Sequence, residues 1–170
     1  MKLPLLKSAA VGFELGVIPH ADELPQLSNL FCSVVEALPY YNQKAKNAAF
    51  AKHSPAMLKE YLSHEPDSLM VAKAGPLIVG FCFNREDDGL IWLTWIGIRK
   101  DFRRQGVASA LLRALDDKAK RTGTHKVWCD CRTDNESAKL MLGRCSYSQI
   151  CAIPNHWYGQ DYILWEKLIG

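Results

Sequence analysis

A buried strand, a basic turn and an amphipathic helix follow one another in the middle of the 170-residue chain. The apolar run Leu90–Ile98 predicts the strand, and apolar residues at helical spacing predict a helix over residues 105 to 121. Between them, Arg103 and Arg104 carry positive charge, and Gly106 lets a ligand approach the backbone closely. Because the first N–H groups of a helix lack intrahelical partners, this arrangement predicts a site for a phosphate group.

The rest of the chain alternates between predicted strands and helices. A strand is predicted over Gly12–Ile18, after a loosely held lead-in over residues 1 to 10. The segment Tyr40–His53 predicts either a loop or a weakly packed helix that faces the substrate. Further helices are predicted over 19–38, 54–63 and 134–144, and further strands over 69–73, 77–84, 126–132, 147–153 and 162–167. This order predicts one mixed α/β domain over residues 1 to 170.

The composition is that of an ordinary soluble globular protein, with 48% hydrophobic and 23% charged residues. A formal net charge of +3 is too small to indicate a nucleic-acid-binding face. The apolar runs are too short to predict a bilayer-spanning helix or a signal peptide, so no membrane partner is expected. Six cysteines are too sparse for a disulfide scaffold, which favours reduced thiols and a cytoplasmic location. A homodimer is left open.

No metal site is expected from the sequence. His125, Cys129 and Cys131 lie close together, but their spacing is not the Cys-x-x-Cys of a zinc site, and buried thiols are the better interpretation. The other histidines outside the C-terminal region, His20, His53 and His64, are expected at the surface or at edges.

Two motifs carry a resemblance to a known family. The turn Arg103-Arg104-Gln105-Gly106-Val107-Ala108 resembles the Gln/Arg-x-x-Gly-x-Gly/Ala turn of the GNAT superfamily of acetyl-CoA-dependent N-acyltransferases. At the expected distance, Asn135-Glu136-Ser137-Ala138 resembles that family's Asn-x-x-Ala at the start of the next helix. The resemblance covers nearly the whole chain. It implies a predominantly antiparallel sheet flanked by helices, with a splayed parallel strand pair formed by Leu90–Ile98 and Lys126–Arg132.

The resemblance also implies acetyl-CoA as co-substrate. The pantetheine arm would lie between the splayed strands, near backbone groups of Ile96 and Ile98. Asn135 would contact that arm, a role compatible with capping its helix. The residues expected at the pyrophosphate are Arg103, Arg104, Gln105, Gly106, Val107, Ala108 and Ser109.

A narrower resemblance concerns the branch that acetylates protein N-termini, including the ribosomal-protein-alanine acetyltransferases. Within Trp128-Cys129-Asp130-Cys131-Arg132, Asp130 stands at that branch's carboxylate position. The segment Pro154–Asp161 is similar to its aromatic hairpin. The residues expected on the acceptor side are Tyr40, Tyr41, Trp95, His156, Trp157 and Tyr158.

The catalytic groups are less clearly marked. Asp130 is the expected base, acting directly or through water, with a structural role beside Arg132 as its alternative. Glu86, Asp87 and Asp88 are expected in a solvated hairpin turn. Leu142 stands where the family usually has a tyrosine that protonates the leaving thiolate. Because leucine cannot donate a proton, water, Tyr147 or Tyr158 is expected to do so.

Together these features predict an N-acetyltransferase that uses direct attack in a ternary complex. A protein N-terminus or peptide amine is the favoured acceptor, because an α-amino group of pKa about 7.7–8.0 is partly neutral near pH 7, whereas deprotonating a lysine costs about 3 kcal/mol more. A small-molecule amine is the alternative acceptor. A non-catalytic acyl-CoA-binding sensor or interaction module is the alternative from another class.

Overall fold

A computed structural model describes residues 12–170, so the lead-in predicted over residues 1 to 10 lies outside the described residues. The strands are β1 (Phe13–Val17), β2 (Leu69–Ala74), β3 (Leu77–Asp87), β4 (Leu90–Ile98), β5 (Lys126–Arg132), β6 (Ser148–Ile153) and β7 (Tyr162–Leu168). The α-helices are α1 (Leu24–Glu36), α2 (Gln43–Lys52), α3 (Pro55–His64), α4 (Val107–Thr122) and α5 (Glu136–Arg144). None of these helices is both long and apolar enough to cross a bilayer.

The strands form one sheet in the order β1-β2-β3-β4-β5-β7-β6. Neighbouring strands are antiparallel except for β4 and β5, which run parallel. Their pairing covers only three residue pairs and ends at Leu93 opposite Cys129. The prediction of a mixed, predominantly antiparallel sheet with a splayed parallel pair is therefore confirmed.

A bulge in β4 coincides with the end of the parallel pairing. Phe83 of β3 lies opposite Trp95 and Asn84 lies opposite Leu93, so Thr94 is the extra residue. The Thr94 hydroxyl donates to the Phe83 carbonyl across 3.1 Å, which holds the bulge in place. Because a bulge bends its strand, β4 diverges from β5 beyond this point and the two strands enclose a wedge-shaped cleft.

Helices cover both faces of the sheet and create two hydrophobic clusters. Leu111 and Leu115 of α4 are fully buried in the larger one, which also contains Cys129 and Cys131 of β5. Phe31 of α1 is fully buried in the other cluster, together with residues of α3, β2 and β3. Because strand side chains alternate between faces, Asp130 lies on the α1 side of the sheet, between two cysteines that face α4.

Several helices and strands begin or end at residues other than those predicted. The segment Tyr40–His53 contains a helix, α2, which buries only Ala45 and Ala49, so the weakly packed alternative is the correct one. The helix predicted from residue 105 begins at Val107, because Gly106 adopts a left-handed conformation (φ 80°). Strand β3 runs on to Asp87, opposite Leu90, so Glu86 and Asp87 belong to the end of a strand rather than to a turn.

The expectation for His53 is wrong. Its side chain is buried, stacked on Phe31 with ring centroids 4.0 Å apart and on Phe83 at 5.5 Å. Its Nδ1 lies 2.8 Å from the Ala49 carbonyl, so the ring is also hydrogen-bonded to α2. Burial lowers the pKa of His53 from 6.5 to about 4, which keeps the ring neutral at physiological pH.

Candidate active site

The cleft between β4 and β5 exposes backbone groups that no neighbouring strand uses. Beyond Leu93, β4 still pairs with β3, from Trp95 to Ile98, but it makes no pairs with β5. The backbone groups of β4 that face the gap are therefore available to a ligand. Ile96 and Ile98 pack against the α4 cluster, whereas Trp95 packs against the α1 cluster.

The turn before α4 leaves the helix N-terminus open. Helices α2, α3 and α5 are each capped by a side chain, from Asn42, Ser54 and Asn135. The N-cap of α4 is Gly106, which has no side chain to offer. Among the residues expected at the pyrophosphate, Val107 is buried, Ala108 and Ser109 are half-buried, and Arg103, Arg104, Gln105 and Gly106 are exposed.

This turn has the features of an anion site. The first N–H groups of α4 carry the positive end of the helix dipole and have no side-chain cap to satisfy them. Arg103 Nε donates to the Ile98 carbonyl across 3.1 Å, which ties the turn to the end of β4. Arg104 holds a left-handed conformation (φ 60°) within the turn. The chain thus offers an anion cradle at the open end of the cleft.

Two further features concern residues that are predicted to contact the cofactor, Asn135 and Ser109. Asn135 Oδ1 accepts from the Ala138 N–H across 3.0 Å, which confirms the capping interaction and leaves the amide nitrogen as a donor. A cavity of about 260 Å³ adjoins Ser109 in the first turn of α4. It is lined by Ser109, Leu112, Arg113, Asp116, Arg144, Cys145, Ser146 and Lys167. Its two exposed arginines extend the positive surface of the turn.

Asp130 lies on the opposite side of the cleft from α4, and its partner is an indole. Trp157 Nε1 donates to Asp130 Oδ2 across 2.9 Å. Burial raises the pKa of Asp130, while the bond from Trp157 and the nearby His156 pull it back in part. Arg132 is not its partner, because the Arg132 guanidinium donates to Asp134 at 3.1 Å. Asp130 is therefore a half-buried carboxylate that makes no ion pair with an arginine among residues 12–170.

Two groups of aromatic rings extend from Asp130. In the first, Tyr41 interacts with Asp130 and contacts Trp95 and Tyr40, with ring centroids 5.7 Å and 5.5 Å from its own. In the second, the Trp157 indole donates to Asp130 and contacts His156, with centroids 4.3 Å apart. The structure thus places Tyr41, His156 and Trp157 near the carboxylate and connects Trp95 and Tyr40 to it through Tyr41. The sixth predicted acceptor-side residue, Tyr158, lies on the same hairpin as Trp157, partly exposed.

Two side-chain amides connect the loop before α2 to the hairpin between β6 and β7. Gln160 Nε2 donates to the Tyr40 carbonyl across 2.8 Å, and Asn42 Nδ2 donates to the Tyr158 carbonyl across 3.1 Å. These bonds join the two segments that carry most of the predicted acceptor-side residues.

The alternative proton donors occupy different surroundings. Tyr147 lies in the α4 cluster with Leu142, and its hydroxyl is buried without a hydrogen-bond partner among residues 12–170. Burial raises the pKa of Tyr147 well above its ordinary value. These surroundings favour a packing role over proton donation. Tyr158 is 36% exposed and has a left-handed backbone (φ 57°).

Tyr162 is a site residue that the sequence interpretation missed. It lies on β7 opposite Arg132, whose guanidinium is 5.5 Å from the centre of its ring. Burial raises its pKa to about 12, so it stays protonated beside Asp130 and Tyr41. The available signal was its place at the start of the strand after the aromatic hairpin, but strand tyrosines more often pack in cores. Asn42 and Gln160 were missed because their roles depend on contacts far apart in sequence.

Comparisons with known proteins identify the family of the chain. The model of the acetyltransferase (GNAT) family matches residues 35–147. An acetyltransferase of Pectobacterium atrosepticum is 29% identical over 96 residues, which are 56% of this chain and 68% of that protein. One of Sodalis glossinidius is 28% identical over 90 residues, which are 53% of this chain and 63% of that protein.

Solved structures show the same fold. The ribosomal-protein-S18-alanine N-acetyltransferase of Escherichia coli has a TM-score of 0.69 at 17% identity, with 93% of this chain and 94% of the other covered. The ribosomal L7/L12 α-N-protein acetyltransferase RimL, solved with coenzyme A, has a TM-score of 0.77 at 15% identity and 97% coverage of both chains. Since the family model spans more than half of the sequence, the chain belongs to the acetyltransferase (GNAT) family.

Proposed function

We propose that this chain transfers the acetyl group of acetyl-CoA to the amino group of a protein or peptide N-terminus. Acetyl transfer from acetyl-CoA follows from the family. The choice of acceptor rests on Asp130, a half-buried carboxylate among aromatic rings on the side of the cleft away from α4. Two proteins of the same fold, the S18-alanine and the L7/L12 enzymes, are described by the protein N-termini they acetylate, and this supports the choice.

Acetyl-CoA supplies the acetyl group as an activated thioester. The basic turn and the free N–H groups of α4 hold its pyrophosphate, and the backbone of β4 beyond Leu93 orients the thioester. Asp130 takes a proton from the acceptor's ammonium group, directly or through water. Because burial raises the pKa of Asp130, its carboxylate is a stronger base than an exposed one.

The neutral amine then attacks directly, without an acyl-enzyme intermediate. Its nitrogen forms the amide bond while the carbon–sulfur bond breaks. The nitrogen loses its extra proton to water, and water delivers a proton to the thiolate, because Leu142 has none to give. An α-amino group of pKa about 7.7–8.0 requires much less help from a base than a lysine does. A single carboxylate such as Asp130 is therefore matched to an N-terminal amine.

A small-molecule amine is the second candidate acceptor. The hydrogen bonds of Gln160 and Asn42 join the loop before α2 to the hairpin between β6 and β7 and narrow the acceptor side, which favours a compact substrate over an extended chain. The third candidate, an acyl-CoA sensor without turnover, is favoured by Leu142 in the place of the usual proton donor.

A thiol-release assay with acetyl-CoA separates the three candidates. A library of peptides with different N-terminal residues is tested beside polyamines, aminoglycosides and amino acids. Release with peptides alone supports the proposal, and release only with small amines supports the second candidate. Coenzyme A binding by calorimetry with no release for any acceptor supports the sensor.

The role of Asp130 is tested by Asp130→Asn, which keeps an acceptor for the Trp157 indole. We expect kcat to fall by about 10² to 10⁴-fold with acetyl-CoA affinity unchanged, because general base catalysis is lost. Asp88→Asn is the matched control. It makes the same change in the turn between β3 and β4, away from the cleft. The backbone there has φ 47°, a conformation that asparagine also tolerates. Undiminished turnover in Asp130→Asn would assign Asp130 a structural role.

A further inference from the structure

Trp157 combines high exposure with a specific polar contact. It is 51% exposed and is the one tryptophan among the exposed large hydrophobic residues in the described part of the chain. Its indole N–H nevertheless donates to Asp130 Oδ2 across 2.9 Å. An indole outside the core gains little from burial, so this hydrogen bond and the contact with the His156 ring, 4.3 Å away between centroids, hold it over the carboxylate.

The hairpin that carries Trp157 is fixed independently of the indole. The Asn155 N–H donates to Asp161 Oδ1 across 2.7 Å, and the His156 N–H donates to the Gln160 carbonyl across 2.8 Å. Asn155, Tyr158 and Gly159 adopt left-handed conformations that form the tight turn. The indole can therefore rotate away from Asp130 while the backbone of the hairpin stays in place.

We propose that the Trp157 indole N–H stands in for the acceptor's amine on Asp130, and that the acceptor binds by displacing it. This inference rests on the proposed function, because it takes Asp130 as the group that receives the acceptor's ammonium. An ammonium has a full positive charge, so its hydrogen bond to the carboxylate is stronger than that of the neutral indole. The exchange is therefore favourable for a charged amine.

The same exchange rejects the product. Once acetylated, the nitrogen is a neutral amide with a single N–H, which has no electrostatic advantage over the indole. The indole is attached to the protein and remains next to Asp130, so it returns to the carboxylate as the product leaves. Trp157 thus makes acceptor binding depend on positive charge at the reacting nitrogen.

Nuclear magnetic resonance of the tryptophan side chains tests the displacement without requiring turnover. The chain has five tryptophans, and the indole ¹H–¹⁵N signal missing from Trp157→Phe identifies Trp157. With coenzyme A present, a peptide that is acetylated in the thiol-release assay should shift this signal. The N-acetylated form of the same peptide should leave it in place. Equal shifts with both peptides, or no shift with a peptide that is turned over, would overturn the proposal.

Steady-state kinetics of Trp157→Phe give the second test. Removing the N–H frees Asp130, so we expect the KM for the acceptor to fall roughly threefold to tenfold, the value of one hydrogen bond, while the KM for acetyl-CoA keeps its wild-type value. Trp92→Phe is the matched control, because Trp92 lies where β4 is paired with β5, and it should change neither KM. A raised acceptor KM would show instead that Trp157 is part of the binding wall. If wild type acetylates no amine at all, the proposed function fails, which is distinct from failure of the exchange.

Discussion

The backbone N–H of Tyr147 donates to the carbonyl of Leu142 across 3.0 Å, immediately after α5 ends. This bond turns the chain so that both side chains enter the cluster beneath α4, where Leu142 is 2% and Tyr147 is 4% exposed. Two residues that bear on thiolate protonation therefore lie side by side in the core. Leu142 has no proton to donate, and the Tyr147 hydroxyl is buried.

Replacing Tyr147 by phenylalanine should leave kcat within about twofold of wild type. The hydroxyl is buried without a partner among the described residues, so its removal should keep stability unchanged or raise it by about 1 kcal/mol. Thiol-release kinetics and urea denaturation measure the two effects. A loss of 10² or more in kcat would identify Tyr147 as the general acid after all.

The strands and helices that carry the predicted cofactor residues were predictable because their signals are local. Strands β4 and β5 have the bounds that their apolar runs predicted, and Asn135 caps the helix that it begins. A strand followed by a glycine and a helix can be recognised from about 20 consecutive residues of sequence. The start of α4 was displaced by two residues because the left-handed Gly106 ends the turn rather than beginning the helix.

The acceptor side could be predicted only in part, since it depends on contacts between distant segments. Asn42 and Tyr158 are 116 residues apart in sequence, and Tyr40 and Gln160 are 120 apart. No periodicity in either segment indicates these pairs. The bond between Trp157 and Asp130 also required the register of β5 on β7, which places the hairpin over the cleft.

Gly106→Ala should weaken acetyl-CoA binding. At φ 80° an alanine costs about 1 kcal/mol or more, although its Cβ would meet no atom within 4 Å, so the backbone is expected to rotate and misdirect the N–H groups of α4. We expect a rise of about tenfold in the KM for acetyl-CoA and in the Kd for coenzyme A.

Gly123→Ala is the matched control for this change. It lies at the other end of α4 with φ 71° and equally open surroundings, so it should cost similar stability without affecting coenzyme A. Equal KM values in the two variants would contradict an anion site at the Gly106 end of the helix.

His53 should make the fold sensitive to mild acid. Its pKa is about 4 in the folded chain, whereas an unfolded histidine titrates near 6.5, so the unfolded state binds an extra proton between these values. Stability is therefore fully present above pH 6.5 and falls as the pH decreases towards 4, by about 3 kcal/mol. Chemical denaturation across this range measures the loss.

The variant His53→Phe keeps a ring between Phe31 and Phe83 and removes the titrating group. The difference in unfolding free energy between wild type and this variant should change with pH by the same amount. His125→Phe, at an exposed position, should retain the wild-type pH dependence. A difference that is constant from pH 6.5 to 4 would show that His53 is protonated in the folded state.

Lys118 joins α4 to β3 and to the segment before β2. Its side chain is fully buried, and its Nζ lies 2.7 Å from Asn84 Oδ1, 2.7 Å from Glu65 Oε1 and 3.1 Å from Asp67 Oδ1. These partners belong to β3 and to the segment before β2, so one ammonium joins three parts of the chain.

Lys118→Met should destabilise the fold by about 3 kcal/mol, because it removes the ammonium shared by three carboxylates and an amide, with Glu86 the most distant at 3.9 Å. The estimate is at the low end for a broken buried pair, since Glu65 and Asp67 are about 30% exposed and can regain water. Lys126→Met is the control. Its pair with Glu166 is partly exposed on both sides, so its loss should destabilise the fold much less than the loss of Lys118. Equal losses in urea denaturation of the two variants would show that the Lys118 cluster adds nothing beyond an ordinary surface ion pair.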